Sequence, residues 1–343
     1  MAAGLEQIFA NAPLWALIVV TLGAGYALLM GADRVVDRAV LLALHWHMPK
    51  MIIGATIVSL GTTLPEAAVS VAAAIQGQPD LALGNAVGSI ICNTGLILGL
   101  AALLGPLPLP ANMVNRHGWL QLGVAVLLCL LLLPWPPPGL AWRAGGGGAL
   151  PQAAGFLMLM LLGFYLWFSM RWAQAPKPAA DLLLEPKAPV ATLRLKPIVG
   201  GLVLGLALII LGSKALIPAV SQIALRAGIP PSIIAATFVA FGTSLPELIT
   251  AVTAVRRGHG ELAVGNVMGA NILNVLFVSG AAAAVTPAGL AAPATFFTLL
   301  LPGMLVLLLV FCLGISGGHS RLPRPLGLLL LAVYAAITWL SYQ

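Results

Sequence analysis

Long apolar stretches interrupted by short polar ones set the pattern of this chain. Runs able to cross about 30 Å of hydrocarbon as helix, about 17 to 25 residues each, lie near 13–31, 51–75, 80–104, 118–134, 152–170, 197–213, 232–255, 261–285, 293–314 and 325–341. They are continuous and lack the alternating segments of about ten residues that barrel strands show. The pattern predicts an all-α membrane protein with ten transmembrane helices.

Composition agrees with this reading. With 60% hydrophobic residues, 7% charged residues and a mean hydropathy of +1.05, the chain excludes a soluble domain of 343 residues. The segment Met1 to Pro13 has Glu6 but no Lys or Arg, so it lacks the basic flank of a cleavable signal, and the first span is expected to be retained. The net charge of +7 matters through its distribution between loops, not as a sign of nucleic-acid binding. With the N-terminus outside, Arg34, Arg38, Lys50, Arg116, Arg171, Lys177, Lys187, Arg194, Lys196, Arg256, Arg257, Arg321 and Arg324 face the cytoplasm, against Arg143, Lys214 and Arg226 outside. Both termini are then predicted to be external.

Shifting the chain by 181 residues aligns it with itself. Ala55, Thr56, Gly61, Thr62, Leu64, Pro65, Glu66, Gly84, Asn85, Gly88, Asn93 and Gly99 meet the same residue types at 236, 237, 242, 243, 245, 246, 247, 265, 266, 269, 274 and 280. Apolar bias alone does not align Pro, Glu, Asn and Gly in step, so the chain has two homologous halves. The expected division is 1–172, with its signature at 54–99, a cytoplasmic linker 173–196, and 197–343, with its signature at 235–280. Five spans per half make the repeats inverted. Polar, Pro-interrupted segments at matching positions of inverted halves point to a substrate site near the midplane.

The polar residues narrow the chemistry. In "GTTLPE" and "GTSLPE" the proline removes a donor, so carbonyls one turn back, Ser59 to Thr62 and Ala240 to Thr243, are expected to lose their usual partners. Glu66 and Glu247 fall in apolar spans, where an acidic side chain costs about 2.5 to 3.5 kcal/mol to insert. Neither of the apolar spans that hold them, 51–75 and 232–255, carries Lys or Arg to pair with them. Thr62, Thr63, Ser89, Asn93, Thr243, Ser244 and Asn274 add neutral oxygens, without His or Cys in a ligand-like arrangement. Oxygen-only ligation selects hard ions such as Na⁺, Ca²⁺ or Mg²⁺, and two carboxylates neutralise one divalent ion. Ca²⁺ and Na⁺ both accept irregular, carbonyl-rich shells.

Other residues read as structural. Gly84, Gly88, Gly265 and Gly269 form small-x-x-x-small faces for close helix packing. Asn85 and Asn266 lie about 80° around the helix from Asn93 and Asn274, which suits supporting bonds better than ligation. Cys92, Cys129 and Cys312 are expected to be packing residues. His45, His47, His117, His259 and His319 are expected in solvated positions at span ends, and Trp46, Trp119, Trp135, Trp142, Trp172 and Trp339 in the interfacial belts.

"GTTLPE" with "GNAVGSIICN", and "GTSLPE" with "GNVMGANILN", resemble the paired signatures of the calcium/cation antiporter superfamily, in particular the sodium/calcium exchangers. The resemblance implies a secondary antiporter of prokaryotic inner-membrane type with periplasmic termini, working by alternating access without cofactor or catalysis. Its expected partners are Ca²⁺, Na⁺ and the lipid bilayer, with no protein partner indicated. Glu66 and Glu247 would be shared calcium ligands, completed by Asn93 and Asn274. Carbonyls of Thr62 and Thr243 would also meet calcium. Hydroxyls of Thr62, Thr243 and Ser89 and carbonyls of Ser59 and Ala240 would serve sodium. The implied exchange of about three Na⁺ per Ca²⁺ moves net charge, each charge being worth about 2.3 kcal/mol per 100 mV.

Two departures shape the alternatives. Ala270 replaces the hydroxyl expected opposite Ser89, which leaves H⁺-coupled cation antiport as the rival coupling. Asn274, where potassium-dependent members carry Asp, argues against potassium co-transport. The 173–196 linker is too short for calcium-sensing domains. A channel or a non-transporting scaffold is the reading from a different class.

Overall fold

The computed structural model describes residues 9–133, 147–173, 194–228, 242–316 and 320–341. Helices dominate it: α1 (Leu14–His45), α2 (Lys50–Thr62), α3 (Leu64–Ile75), α4 (Pro79–Leu104), α5 (Ala111–Leu132), α6 (Gln152–Ala173), α7 (Leu195–Arg226), α8 (Leu245–Arg256), α9 (Gly260–Ala284), α10 (Phe296–Ser316) and α11 (Arg324–Leu340). Among the described residues seven helices are long and apolar enough to cross a membrane, and the bent pair α2–α3 makes an eighth span. The shorter α11 is also apolar. The span expected at 232–255 is described only in its second half, as α8, because 229–241 lie outside the described residues.

Prolines punctuate these helices where a missing N–H costs nothing. Pro49 precedes α2, Pro79 opens α4 and Pro325 sits in the first turn of α11. α4 and α9 are the most enclosed spans, while α1, α6 and α7 keep large apolar side chains such as Trp15, Leu22, Tyr26, Phe156 and Leu211 exposed. In a membrane protein such exposed apolar rows are the lipid face.

α1 is longer than the run at 13–31 predicts. It continues to His45 because Ala32, Val35, Val36, Ala39, Leu42 and Ala43 sustain a buried face at helical spacing. Arg34 and Arg38 are therefore helical residues, not loop residues, and Arg38 lies against Gly201 of α7. Lys214, expected in an external loop, is likewise an exposed residue within α7. α1 and α7 approach closely where Gly31 meets Gly205: a Cβ on either would fall 2.8 or 2.9 Å from the other's carbonyl oxygen.

Contacts between the two parts of the chain close both ends of the bundle. β1 (Gly148–Leu150) pairs antiparallel with β2 (Leu290–Ala292), with Ala149 opposite Ala291. At the other end Arg257, just after α8, bridges Asp33 at 2.8 Å and also Asp37 on α1, while Lys50 meets Glu261 at 3.3 Å. His259 sits half-buried among these charges, and burial first, then Lys50, hold its imidazole below the ordinary value.

α9 packs onto α2 backbone to backbone. A Cβ at Gly265 would lie 2.1 Å from the Met51 carbonyl oxygen, and one at Gly269 would lie 2.3 Å from that of Ala55. The close-packing role thus holds for these two glycines. For Gly84 and Gly88 it is not seen: among the described residues the nearest atom to a Cβ at Gly84 is on Phe296 at 3.8 Å, and none comes within 4 Å at Gly88. The segment equivalent to α2, by the 181-residue shift, lies largely outside the described residues.

Gly269→Ala should therefore lower the melting temperature in detergent, by the equivalent of about 1 to 3 kcal/mol for overpacking. Gly163→Ala, on an open face of α6, should leave it unchanged or raise it. A protonated His259 is disfavoured in the folded state, so its contribution to stability falls as pH drops through the ordinary histidine value of about 6.5. His259→Gln should flatten melting temperature against pH in that window, measured between about pH 5 and 7.5.

Candidate cation site

The site begins with a break in a helix. Pro65 stands in the first turn of α3 and offers no N–H to the turn before it, and the axis bends by 43° between α2 and α3. The break places Glu66 in the first turn of α3, fully buried, and Pro246 does the same for Glu247 in α8. An acid in a first helical turn is favoured by the helix dipole, which offsets part of its burial cost. The bend does not free every carbonyl expected. Ser59 O accepts the Thr63 N–H at 2.9 Å and the Thr62 hydroxyl at 3.3 Å, because α2 completes its last turn before the break.

Next to each acid-bearing helix runs a second broken element. α4 carries a π-helical segment, Cys92–Ile97, and α9 carries another, Asn274–Ser279. Such bulges widen the turn and re-aim side chains, and they recur at functional sites. They hold Asn93 and Asn274, both fully buried. A further π segment, Gly54–Val58 in α2, presents the Ala55 carbonyl to the hydroxyl of Tyr165 on α6 at 2.8 Å.

The sequence-predicted residues converge, and they do so across the two parts of the chain. Thr63 donates to Glu247 Oε1 at 3.2 Å, and Ser244 donates to the Ser89 hydroxyl at 3.3 Å. Thr62 donates to Asn266 Oδ1 at 3.4 Å, while Thr243 donates to Asn85 Oδ1 at 3.1 Å. Asn85 also donates to the Glu66 carbonyl at 3.1 Å and to Ser70 at 3.0 Å. Asn85 and Asn266 thus have the supporting role read from their angular position, and each supports a threonine of the opposite signature. Ala240 lies outside the described residues.

Several buried polar atoms of these side chains have no hydrogen bond among the described residues. They include both oxygens of Glu66, Oε2 of Glu247, and the whole side-chain amides of Asn93 and Asn274. The buried polar side chains of the described chain include no Lys or Arg to neutralise the acids. Nor do three or more His, Cys, Asp or Glu gather among the described residues. Two carboxylates accompanied by neutral hydroxyl, amide and carbonyl oxygens have the donor chemistry that suits a hard cation.

Some residues escaped the sequence reading. Asn271 of α9 donates to Thr94 at 2.9 Å and to Gln121 of α5 at 3.0 Å, all three buried. A lone Gln within the 118–134 span was the available signal. His117 contradicts the expected solvated position: it is fully buried in α5, edge-on to Tyr165 and Trp172 at 6.1 and 5.8 Å. Two aromatic walls from α6 cover it, which a single helix's pattern does not reveal. His319, Trp135 and Trp142 lie outside the described residues. The cysteines fit their packing role: Cys92 and Cys312 are buried.

A multi-pass helical membrane protein centred on two uncompensated carboxylates belongs among the ion transporters, not the enzymes. Comparison with known proteins makes the class specific: the family model "Sodium/calcium exchanger protein" matches residues 16–171 and 197–343, and the chain belongs to that family. It is 38% identical over 264 residues to inner membrane protein YrbG of Escherichia coli, covering 75% of this chain and 76% of that one. It is 30% identical to sodium/calcium exchanger MaX1 of Methanosarcina acetivorans, covering 90% and 93%. A solved structure of the sodium-calcium exchanger NCX_Mj superposes with a TM-score of 0.76 at 27% identity, covering 94% of this chain and 98% of that one.

The crosswise bonds generate a coupling test. In a double-mutant cycle of Thr243→Val and Asn85→Leu, the two melting-temperature losses should be less than additive, with a coupling of about 0.5 to 1.5 kcal/mol for the shared bond. Additive losses would remove that bond from the account.

Proposed function

We propose that this chain is an antiporter that exchanges Na⁺ for Ca²⁺ by alternating access, moving net charge. The observation that carries the reading is the pair Glu66 and Glu247, fully buried, with three of their four oxygens unbonded and no basic side chain buried with them among the described residues. A carboxylate pair in that setting is either protonated or matched by a cation, and two negative charges match one divalent ion. Asn93, Asn274, Thr62, Thr63, Ser59, Ser89, Thr243, Ser244 and Ala240 complete the proposed ligand set, divided between calcium and sodium as the family resemblance implies.

The relatives support the choice of ions. MaX1 is named a sodium/calcium exchanger, and NCX_Mj structures come from crystals soaked with Na⁺ together with Ca²⁺ or Sr²⁺. The crosswise Thr62–Asn266 and Thr243–Asn85 bonds support two inverted five-helix halves within 1–172 and 197–343, joined by the 173–196 linker, as the moving parts. The basic-residue distribution supports periplasmic termini, and the likeness to YrbG supports the inner membrane. Ala270 favours the rival H⁺-coupled reading, since it supplies no hydroxyl where Ser89 does.

The test is ⁴⁵Ca²⁺ uptake by proteoliposomes loaded with Na⁺ and diluted into Na⁺-free buffer, beside a set carrying a pH gradient alone. Wild-type uptake should require internal Na⁺, carry positive charge outward, and fall to background in Glu66→Gln and in Glu247→Gln. Uptake driven by the pH gradient without Na⁺ would transfer the protein to the H⁺-coupled reading. Normal flux in either glutamine variant would remove the carboxylates from the mechanism.

A further inference from the structure

α4, α5 and α9 also bring together a second group of buried polar side chains that the exchange mechanism above does not use. Thr94 Oγ1 and Gln121 Oε1 converge on one donor, Asn271 Nδ2, at 2.9 and 3.0 Å. All three residues are at least 98% buried, and within the described protein Asn271 Oδ1 accepts no hydrogen bond and Gln121 Nε2 donates none. Turning the Asn271 amide over, about a terminal torsion that is soft and two-fold, replaces Nδ2 with Oδ1 and leaves three oxygens facing one another with no donor between them, an arrangement that a small cation held among them relieves. The cluster is therefore satisfied in one amide orientation and cation-ready in the other.

Two of its members neighbour site residues in the chain. Thr94 follows Asn93 directly, and Asn271 precedes Asn274 by three residues, on the same face of α9. Its counterparts under the 181-residue shift are apolar: Ile90 stands for Asn271, and Val275 for Thr94. The group therefore occurs once, and it falls next to Ala270, the position that lacks the hydroxyl Ser89 provides. Three neutral oxygens without a carboxylate cannot offset the desolvation of a divalent ion, whereas a monovalent one loses far less.

We propose that Asn271, Thr94 and Gln121 form a neutral-oxygen subsite for a monovalent alkali cation, separate from the carboxylate pair. The subsite rests on the Na⁺-exchange reading, under which its ion is Na⁺. Its test uses Na⁺-driven ⁴⁵Ca²⁺ uptake by the full-length protein in proteoliposomes, with Na⁺ titrated, beside Na⁺-free Ca²⁺/Ca²⁺ exchange. Thr94→Val and Gln121→Leu should raise the Na⁺ concentration for half-maximal uptake about three- to tenfold, the weight of one neutral ligand. They should also lower the Hill coefficient for Na⁺. Half-saturation by Ca²⁺ in Na⁺-free exchange should not move, and Thr94→Ser should keep the wild-type Na⁺ curve.

An unchanged Na⁺ curve in Thr94→Val overturns the subsite, and so does a parallel loss of Ca²⁺ affinity, which marks a packing role. If Gln121→Leu fails to assemble, the near-isosteric Thr94→Val decides alone, checked by the melting-temperature rise that added Na⁺ gives in detergent. That rise should be smaller in the variant than in the wild type, and an equal rise overturns the proposal. Wild-type uptake indifferent to Na⁺ would defeat the exchange reading itself. Na⁺-driven wild-type uptake with unaltered variants defeats the subsite alone.

Discussion

The structure depends on the burial of two carboxylates in a low-dielectric interior, with no basic side chain buried beside them among the described residues. Inserting each costs about 2.5 to 3.5 kcal/mol even on lenient scales, and the surrounding architecture is arranged to reduce that cost without cancelling the charge. Pro65 and Pro246 start new helical turns so that Glu66 and Glu247 lie at positive dipole ends. Hydroxyls and amides supply polar contact in place of lysine or arginine. A fixed basic side chain would neutralise the pair permanently and exclude the ion. A neutral shell keeps the charge available to a partner that comes and goes.

That requirement shapes the packing as well. Hydroxyl and amide side chains are short, so the helices carrying them have to approach closely, and Gly265 and Gly269 let α9 lie on the backbone of α2 near Met51 and Ala55. The π segments in α2, α4 and α9 loosen the helical ladder beside the acids, where polar side chains and carbonyls are needed. The crosswise pairs Thr62–Asn266 and Thr243–Asn85 tie the two signatures together at that point. A displacement of one signature is therefore felt directly by the other, which is the coupling that an exchange mechanism needs.

Charge is treated differently at the ends of the bundle. Arg257 with Asp33 and Asp37, and Lys50 with Glu261, are partly solvated pairs that hold helix ends together. Exposed pairs of this kind contribute little each, about 0 to 1 kcal/mol, so they fasten the ends without setting them rigidly. The exposed apolar rows of α1, α6 and α7 leave the remaining surface to lipid.

The sequence by itself determined the membrane class and the positions of most spans, and it singled out Glu66, Glu247, Asn93 and Asn274, all of which the structure buries. It could do so because hydropathy and the cost of a buried charge act locally, and an acid beside a proline in an apolar run has few explanations. Tertiary structure alone decided what faces what. α1 runs past its apolar stretch because α7 covers its far half, and His117 is buried because Tyr165 and Trp172 cover it. Gln121 meets Asn271 from 150 residues away. Each of these depends on a partner distant in the chain, and a one-dimensional pattern records a residue's own polarity without the surface that closes over it.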